Sequence, residues 1–451
     1  MIKPELKTIR LSEITFDEVV YPRKDHDPVL VQRYTEVIDE IESAQKFISV
    51  SSDYKLLDGK HRWLAYRKRN GDTDQEIKVL VYNVSAPHDQ LKIAAQLNSD
   101  HGWQLSSADK ESTAKSLYAY GATYEDIAST LSVGKALVTA WLSRTVKENR
   151  DKRNAKIFDL WMACHTNEDI STITDTPKGT VDRLLGHGDE SLLQKVLQNQ
   201  TKQTLATFSE PEWDPPIYNV WKQQTKTAGS SHFGNSETRW LENLLYLYTD
   251  PFDIVVDPFA GGGSTIDLCK KRGRRYFVSD RKPIVEREHE IRCHDIIDLG
   301  AEGTPPKLRN TFQIVLPKIP RWNEVKLVYL DPPYWKQAEG KYSDHPGDFG
   351  NMTLGDFSWC LHHTIMSFKK KMSDGSHIAL IIQPTQWNAP DKQYTDHAAD
   401  MIRAIDMPIY MRFQCPYESQ QANAQMVEWS KANKTPLVLS REMIVWRVRH
   451  D

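Results

Sequence analysis

Ile254-Val255-Val256-Asp257-Pro258-Phe259-Ala260-Gly261-Gly262-Gly263-Ser264-Thr265 and, further on, Leu327-Val328-Tyr329-Leu330-Asp331-Pro332-Pro333-Tyr334 decide how this chain is read. Each is a short apolar run that ends in an acid and a proline, and the first continues through glycines into a helical stretch. Residues 275–280 and 377–382 read as further strands, as do 408–413 and 442–447 near the C-terminus. Continuous apolar strands alternating with helical stretches predict a parallel sheet covered on both faces. Ligands of such sheets sit at the carboxyl ends of the strands, which is where the two Asp-Pro pairs put their acids. Residues 206–451 therefore form one α/β domain.

Glycines after a strand let the backbone approach a ligand where a Cβ would collide. The spacing Asp257 to Ser264 is neither Gly-x-Gly-x-x-Gly nor a P-loop. Asp280 ends the next strand, where an acid can accept hydrogen bonds from both hydroxyls of a ribose. That half fits a nicotinamide cofactor and S-adenosylmethionine equally. The second turn separates them. An exocyclic base amine is a poor nucleophile because its lone pair is delocalised into the ring. A carboxylate (Asp331) accepting one N–H, and a backbone carbonyl held by Pro332 and Pro333 accepting the other, draw that nitrogen toward sp³ geometry. Proline presets the carbonyl direction and removes a competing donor. Tyr334 offers a flat face to a base turned out of the helix. In-line approach to an activated methyl then needs positioning above all, and no metal.

On these residues the C-terminal domain resembles the amino-group DNA methyltransferases, Asp257 to Ser264 matching the cofactor-loop motif and Asp331 to Tyr334 the catalytic motif. The resemblance implies a Rossmann-like sheet, S-adenosylmethionine as cofactor, and double-stranded DNA as partner. It implies that Asp257, Pro258, Phe259, Gly261, Gly263 and Ser264 surround the cofactor, with Phe259 near its adenine. Asp280 then holds the ribose, and Asp295, in Cys293-His294-Asp295-Ile296, contacts the cofactor amine. The stretch His232-Phe233-Gly234 through Leu245 resembles the methionine-end motif without its Lys-Pro, so no residue is assigned there. Asp at the head of the catalytic motif, where cytosine-N4 enzymes usually carry Ser, implies adenine N6 as the target. Cytosine N4 remains the alternative, as does a DNA-binding regulatory protein with an inactive methyltransferase domain. Cytosine-C5 chemistry needs a thiolate after a proline. Cys415-Pro416 has the reverse order, so Cys415 reads as an ordinary strand residue.

Upstream lies a repeat. Thr123-x-x-Asp126-Ile127, Val138 and Trp141-Leu142 return 43 positions later as Thr166-x-x-Asp169-Ile170, Val181 and Leu184-Leu185, with Leu117/Leu160 and Tyr118/Trp161 at the same offset. Each copy opens with a helix start signal and turns into a second apolar-faced helix. Such a unit fits a helix-turn-helix, whose second helix enters the major groove, and also an ordinary helical bundle. Self-similarity at a fixed period favours the first. Residues 101–205 are thus expected to bind DNA, with Lys135, Thr139, Arg144, Lys178 and Thr180 as candidate contacts.

Within residues 1–100, a strand ending near Leu57 runs through Asp58-Gly59 into a helix that opens with Lys60-His61-Arg62, a basic helix N-terminus suited to phosphate. Gly59, Arg62 and Ala65, followed by Asn98 and the first helix-turn-helix, resemble the ParB-like N-terminal domain, an α+β fold. Lys60 stands where that family often has an acid, so a scaffold or DNA-tracking role weighs as much as nucleotide hydrolysis. A nucleotide here, and a homodimer, are left open.

Composition bounds the rest. The 451 residues carry Lys+Arg 58 against Asp+Glu 61, a formal net charge of -3, so contact with nucleic acid must come from local basic patches. The chain has no apolar run of membrane-spanning length, and Met1 to Glu5 lack the basic-then-apolar order expected of a secretory signal. Its five cysteines form no Cys-x-x-Cys pair, which indicates a cytoplasmic location. Two features keep two readings each. The polar stretch 336–353, with Lys341, Tyr342, Asp348 and Phe349, is either a loop that closes over DNA or plain surface. The cluster Lys270, Lys271, Arg272, Arg274 and Arg275 is either a solvated helix face or a phosphate contact.

Overall fold

The computed structural model describes residues 2–23, 25–71, 74–100, 105–186, 216–223, 237–287, 290–298, 312–417 and 422–450. Residues 187–205 of the expected helix-turn-helix region, 206–215 of the expected catalytic domain, and His232, Phe233 and Gly234 lie outside them. The chain separates into two compact units, Met1–Lys152 and Arg153–Asp451.

The first unit opens with β1 (Glu5–Arg10), α1 (Pro28–Glu36), α2 (Ile38–Ser43), β2 (Ile48–Ser51), β3 (Leu56–Asp58), α3 (Lys60–Asn70) and β4 (Glu76–Tyr82), its strands ordered β1-β4-β2-β3. Val50, Leu56 and Val79 of the sheet share a core with Ile38, Trp63 and Tyr66 of the helices. Gly59 makes the β3–α3 turn at φ +96, and a Cβ there would meet the Arg62 guanidinium at 3.1 Å. The basic opening of α3, expected to face phosphate, turns inward instead. Arg62 donates to the carbonyls of Lys46 (2.7 Å) and Phe47 (2.9 Å) and pairs with Asp58 at 2.7 Å. His61 Nε2 accepts the Asp27 N–H at 2.9 Å, and burial pulls its pKa down to about 4, leaving it neutral. The Lys60 ammonium stands 4.4 Å from the centre of the Phe16 ring. Carbonyls, the Asp58 carboxylate and rings of the preceding segments therefore take up the positive charge at the start of α3.

After α4 (Pro87–Asp100) come α5 (Ser107–Ala119), α6 (Tyr124–Thr130), α7 (Lys135–Met162), α8 (Asn167–Ile173) and α9 (Lys178–Leu185). Both copies of the repeat are built alike. The Thr123 and Thr166 hydroxyls accept the Asp126 and Asp169 N–H groups at 3.1 Å, capping α6 and α8. Ser132 (φ 50) and Asp175 (φ 47) make matching left-handed turns. Lys135 pairs with Glu125, and Lys178 with Glu168. Ile127, Val138 and Leu142 are buried in one copy, and Ile170, Val181 and Leu185 in the other. One difference from expectation concerns α7, which runs 28 residues, from the second helix of the first copy into the stretch ahead of α8 that matches α5 of the first. The boundary between the compact units falls within it.

The second unit continues through α10 (Thr238–Tyr248), β5 (Ile254–Asp257), α11 (Ser264–Arg272), β6 (Arg275–Asp280), β7 (Arg292–Cys293), β8 (Ile297–Asp298), β9 (Gln313–Ile314), β10 (Val325–Leu330), α12 (Leu354–Lys369), β11 (His377–Ile382), α13 (His397–Ala404), β12 (Ile409–Pro416), α14 (Ala424–Asn433) and β13 (Ser440–Arg447). Among the described residues its main sheet has seven strands in the order β12-β13-β11-β10-β5-β6-β7. From β7 to β11 neighbours are parallel, but β13 is antiparallel to both β11 and β12, which corrects the all-parallel reading. The first half of β12 is exposed, a state that an antiparallel edge tolerates and a parallel one rarely does.

Alternate residues of the central strands feed opposite faces, as the two-residue period requires. Val256, Val328 and Leu380 pack with Phe357, Leu361 and Ile365 of α12, while Val255, Leu327 and Ala379 pack with Trp240, Leu244 and Ile266 of α10 and α11. Of the cationic cluster around α11, Lys270 and Lys271 are exposed, as a solvated helix face requires, while Arg272, Arg274 and Arg275 are buried. Arg272 is buried against Glu242, which also receives Lys271. Arg274 is buried on Thr249, Arg275 pairs with Glu324, and Lys270 with Glu290. Among the described residues no helix is long and apolar enough to cross a membrane.

Candidate active site

The strand order reverses at β5, which has β6 on one side and β10 on the other, so a crevice opens beyond the carboxyl ends of β5 and β10. Asp257 ends β5, and Asp331 follows the last residue of β10. The register Val256↔Val328 sets the two turns side by side on one edge of the sheet. Between them lies a cavity of about 540 Å³. Asp257, Pro258, Phe259, Gly261, Ser264, Asp280, Asp295, Asp331 and Pro333 all line it. Gly263, Pro332 and Tyr334 do not. Pro332 is buried beneath the turn, and Gly263 supports the loop from behind.

Hydrogen bonds hold the glycine loop open. Asp257 accepts the Thr265 hydroxyl at 2.6 Å and the Phe259 N–H at 2.9 Å. Its burial, with Asp331 and Asp280 adding repulsion, pushes its pKa up to about 7. Asp280 accepts the Gly261 N–H at 3.0 Å and the Lys282 N–H at 2.9 Å, which fixes its carboxylate at the mouth of the loop. Gly263 starts α11 at φ +82, and a Cβ there would stand 2.8 Å from the Arg287 side chain. Arg287 donates to the Gly263 carbonyl at 3.1 Å and pairs with Asp267 at 2.8 Å. Neither Arg287 nor its role is visible in the motif itself.

Across the cavity, Asp331 Oδ1 accepts the Tyr334 hydroxyl at 3.1 Å. Tyr334 is thus tied to the acid through its hydroxyl and half-buried. Trp335 Nε1 donates to the Met352 carbonyl at 2.9 Å. The Thr385 hydroxyl donates to the Trp335 carbonyl at 3.0 Å and meets His397 Nε2 at 3.0 Å. Burial lowers the pKa of His397 to about 4, so this network carries no charge of its own.

The stretch after the motif folds onto the cavity: Lys341, Tyr342, Gly347, Asp348 and Phe349 line it. Arg281, next to Asp280, bonds Ser343 and stands 3.5 Å from the buried Asp348, while Phe349 meets Phe259 edge-on at 5.4 Å between ring centres. The loop therefore closes over the glycine-loop side. Glu237 and Thr238 at the start of α10 also line the cavity. The sequence reading assigned no residue there because the family's Lys-Pro is missing.

These residues fit an adenosyl amino-acid cofactor. The glycine loop leaves room where a Cβ would intrude, Asp280 presents acceptors to a ribose, and Phe259, Ile296 and Ile297 supply apolar surface for a base. The DNA-contact candidates lie elsewhere, and none of them lines the cavity. Lys135, Arg144 and Lys178 are exposed and paired with Glu125, Glu148 and Glu168. The Thr139 hydroxyl donates back to the Lys135 carbonyl at 3.0 Å, and Thr180 is half-exposed.

Comparison with known proteins bears on the same region. A family model described as DNA methylase, of the N6/N4 methyltransferases, matches residues 135–286 and ends before Asp331. Type II methyltransferase M.Cfr9I from Citrobacter freundii is 31% identical over 64 residues, covering 14% of this chain and 21% of that protein. The chain spans about a fifth of the length of the curated relatives it matches. Among solved structures, an rRNA methylase from Streptococcus thermophilus covers 48% of this chain and 99% of its own at 9% identity and TM-score 0.27. The partitioning protein ParB from Caulobacter crescentus, complexed to parS, covers 45% and 100% at 15% identity and TM-score 0.23. At such scores structural likeness decides nothing, and the fold rests on the topology above. S-adenosylmethionine is the cofactor of the matched family. Residues 135–286, which hold the glycine loop and Asp280, are thus similar to the N6/N4 DNA methylases.

Proposed function

We propose that this protein transfers a methyl group from S-adenosylmethionine to the exocyclic amine of an extruded base in double-stranded DNA, with adenine N6 as the acceptor. One observation carries the reading: Asp257 with its glycine loop and Asp331 with its proline turn end adjacent parallel strands and share one cavity. Bound there, S-adenosylmethionine supplies an activated sulfonium methyl. Asp280 takes the ribose, Phe259 packs near the adenine and Asp295 meets the cofactor amine.

Asp331 holds the base amine. Tyr334 donates to its Oδ1; the carboxylate accepts one N–H of the base, while the carbonyl of the Pro332–Pro333 turn accepts the other. The nitrogen lone pair is thereby turned out of conjugation toward the methyl carbon. Transfer of the methyl to that nitrogen would leave the electron pair of the broken C–S bond on sulfur, and the surplus proton would pass from the product nitrogen to water. Aspartate at 331 supports adenine over cytosine. The paired repeats support DNA delivery, with Lys135, Thr139, Arg144, Lys178 and Thr180 toward the duplex.

The test is tritium transfer from labelled cofactor into duplex DNA, followed by mass spectrometry of the digested nucleosides. Wild type is expected to yield N6-methyladenine, and Asp331→Ala to yield none while keeping its melting temperature. N4-methylcytosine would overturn the choice of base. Undiminished transfer by Asp331→Ala would remove Asp331 from its role.

A further inference from the structure

Because β13 is antiparallel to β11, its first residues lie at the edge where the parallel strands end. Arg441 is there. Its guanidinium carbon is 5.3 Å from the ring centre of Tyr334, 5.1 Å from that of Tyr417 and 5.8 Å from that of Trp240. Arg441 Nε donates to the Tyr417 hydroxyl at 2.8 Å, and that hydroxyl donates to Gln383 Oε1 at 2.7 Å. Tyr334 in turn donates to Asp331 at 3.1 Å. A guanidinium withdrawn from water is costly unless rings and opposite charge answer it. Here three aromatic rings and an acidic cavity do so, and one of those rings belongs to the catalytic turn.

We propose that Arg441 is a positioning residue for methyl transfer, clamping the Tyr334 ring so that its hydroxyl stays on one Asp331 oxygen, and supplying the positive charge that Asp331 faces. This rests on the methyl-transfer reading. The groups that interact electrostatically with Asp331 include Tyr329 on β10, Tyr334 in the turn, Asp257 on β5, Tyr342 from the closing loop and Arg441 on β13, and Arg281, Lys282 and Lys341 line the same cavity. Asp280 and Asp348 add negative charge to the cavity through Asp257 and Tyr342. Arg441 is the cation that recurs in this set, and its charge opposes protonation of an acid that must accept an N–H. Burial opposes the charge of Arg441, but the facing Tyr334, Tyr417 and Asp331 outweigh it and keep the guanidinium protonated.

The experiment compares Arg441→Gln and Arg441→Lys in the full chain, with rates of transfer into duplex DNA measured against pH, cofactor and DNA. Removing a facing opposite charge moves a carboxyl titration upward by about one pH unit or more. For Arg441→Gln, the acidic limb of the kcat profile is expected to move up by that amount, with kcat about tenfold lower and the cofactor KM unchanged. Arg441→Lys should restore the limb, because it keeps the charge, and recover only part of kcat, because a planar fork is lost. If Arg441→Gln does not fold, Tyr417→Phe removes the Nε acceptor without truncation, and kcat should fall severalfold. A folded Arg441→Gln with wild-type limb and kcat, or an unaltered Tyr417→Phe in its place, overturns the inference alone. A wild-type chain that methylates no DNA overturns the reading beneath it, and the inference with it.

Discussion

Asp257 is the acid whose ordinary state the fold alters most openly, and Asp257→Asn tests that directly. Its carboxyl is 2% exposed, and burial lifts its pKa from 3.8 to about 7. A pKa raised in the folded state means that stability is fully present below the unfolded value and is lost as pH rises through the folded one. The window therefore runs from 3.8 to about 7. Going from about pH 5.5 to about pH 8 crosses roughly 1.5 units of it, or about 2 kcal/mol at about 1.4 kcal/mol per unit. Asparagine has the same shape and no titration: its carbonyl keeps the Phe259 N–H, and its amide faces a Thr265 hydroxyl that can turn from donor to acceptor. The variant should therefore gain on wild type as pH rises, by roughly 4 °C in melting temperature across that interval. Scanning fluorimetry of both proteins in matched buffers measures the difference. A gap between variant and wild type that stays flat with pH would refute the claim that Asp257 is held above its ordinary range.

Two further outcomes follow from buried contacts. Glu242→Ala leaves Arg272 buried without its acid, so the melting temperature should drop by the equivalent of about 3–5 kcal/mol, while Glu242→Gln keeps an acceptor and loses less. Arg281→Ala releases the loop from Asp348 and Ser343. Cofactor dissociation followed by stopped-flow fluorescence should then speed up severalfold, with Asp331 chemistry otherwise intact.

What could be read in the sequence is what local patterning controls. β5, β6, β10 and β11 are buried on both faces, so each appears as an unbroken apolar run, and the acid after it marks the edge. The repeat was equally plain, because caps, turn residues and inner positions all recur within short spans. β7, β8 and β9 are two residues each and have no period to detect. The cations of α11 mimic a surface, since their partners Glu242, Thr249 and Glu324 come from other elements and only the fold brings them near. Arg441 is hidden for a similar reason. Its place beside Asp331 depends on β13 returning antiparallel, a choice that no local pattern encodes. Asp331 itself was legible, but its bond to Tyr334 was not, since the spacing alone does not say which way a tyrosine turns.

The two copies of the repeat share caps, turn and ion pair, yet their inner faces belong to different cores. Leu117, Ile127, Val138 and Leu142 pack with Leu91 and Ala95 of α4. Trp161, Ile170, Val181 and Leu185 instead share a core with Trp240, Val255, Ile266 and Tyr276 of the seven-stranded sheet and its helices. Arg275 stands 4.3 Å over the Trp161 ring, and Arg292 donates to the Ala163 carbonyl at 2.7 Å. The second copy is therefore a layer of the second compact unit, whatever else its outer face does. A chain beginning at Arg153 should fold and bind S-adenosylmethionine, whereas one beginning at Ile217 should not, because it exposes the apolar surface that Trp161 and Ile170 cover. Trp161→Ala within the longer chain should cost about 3–5 kcal/mol, the loss of a large buried ring. Calorimetric unfolding of the two truncated chains decides the matter: if the shorter one melts cooperatively at the temperature of the longer, the second copy is an appended module and its shared core is incidental.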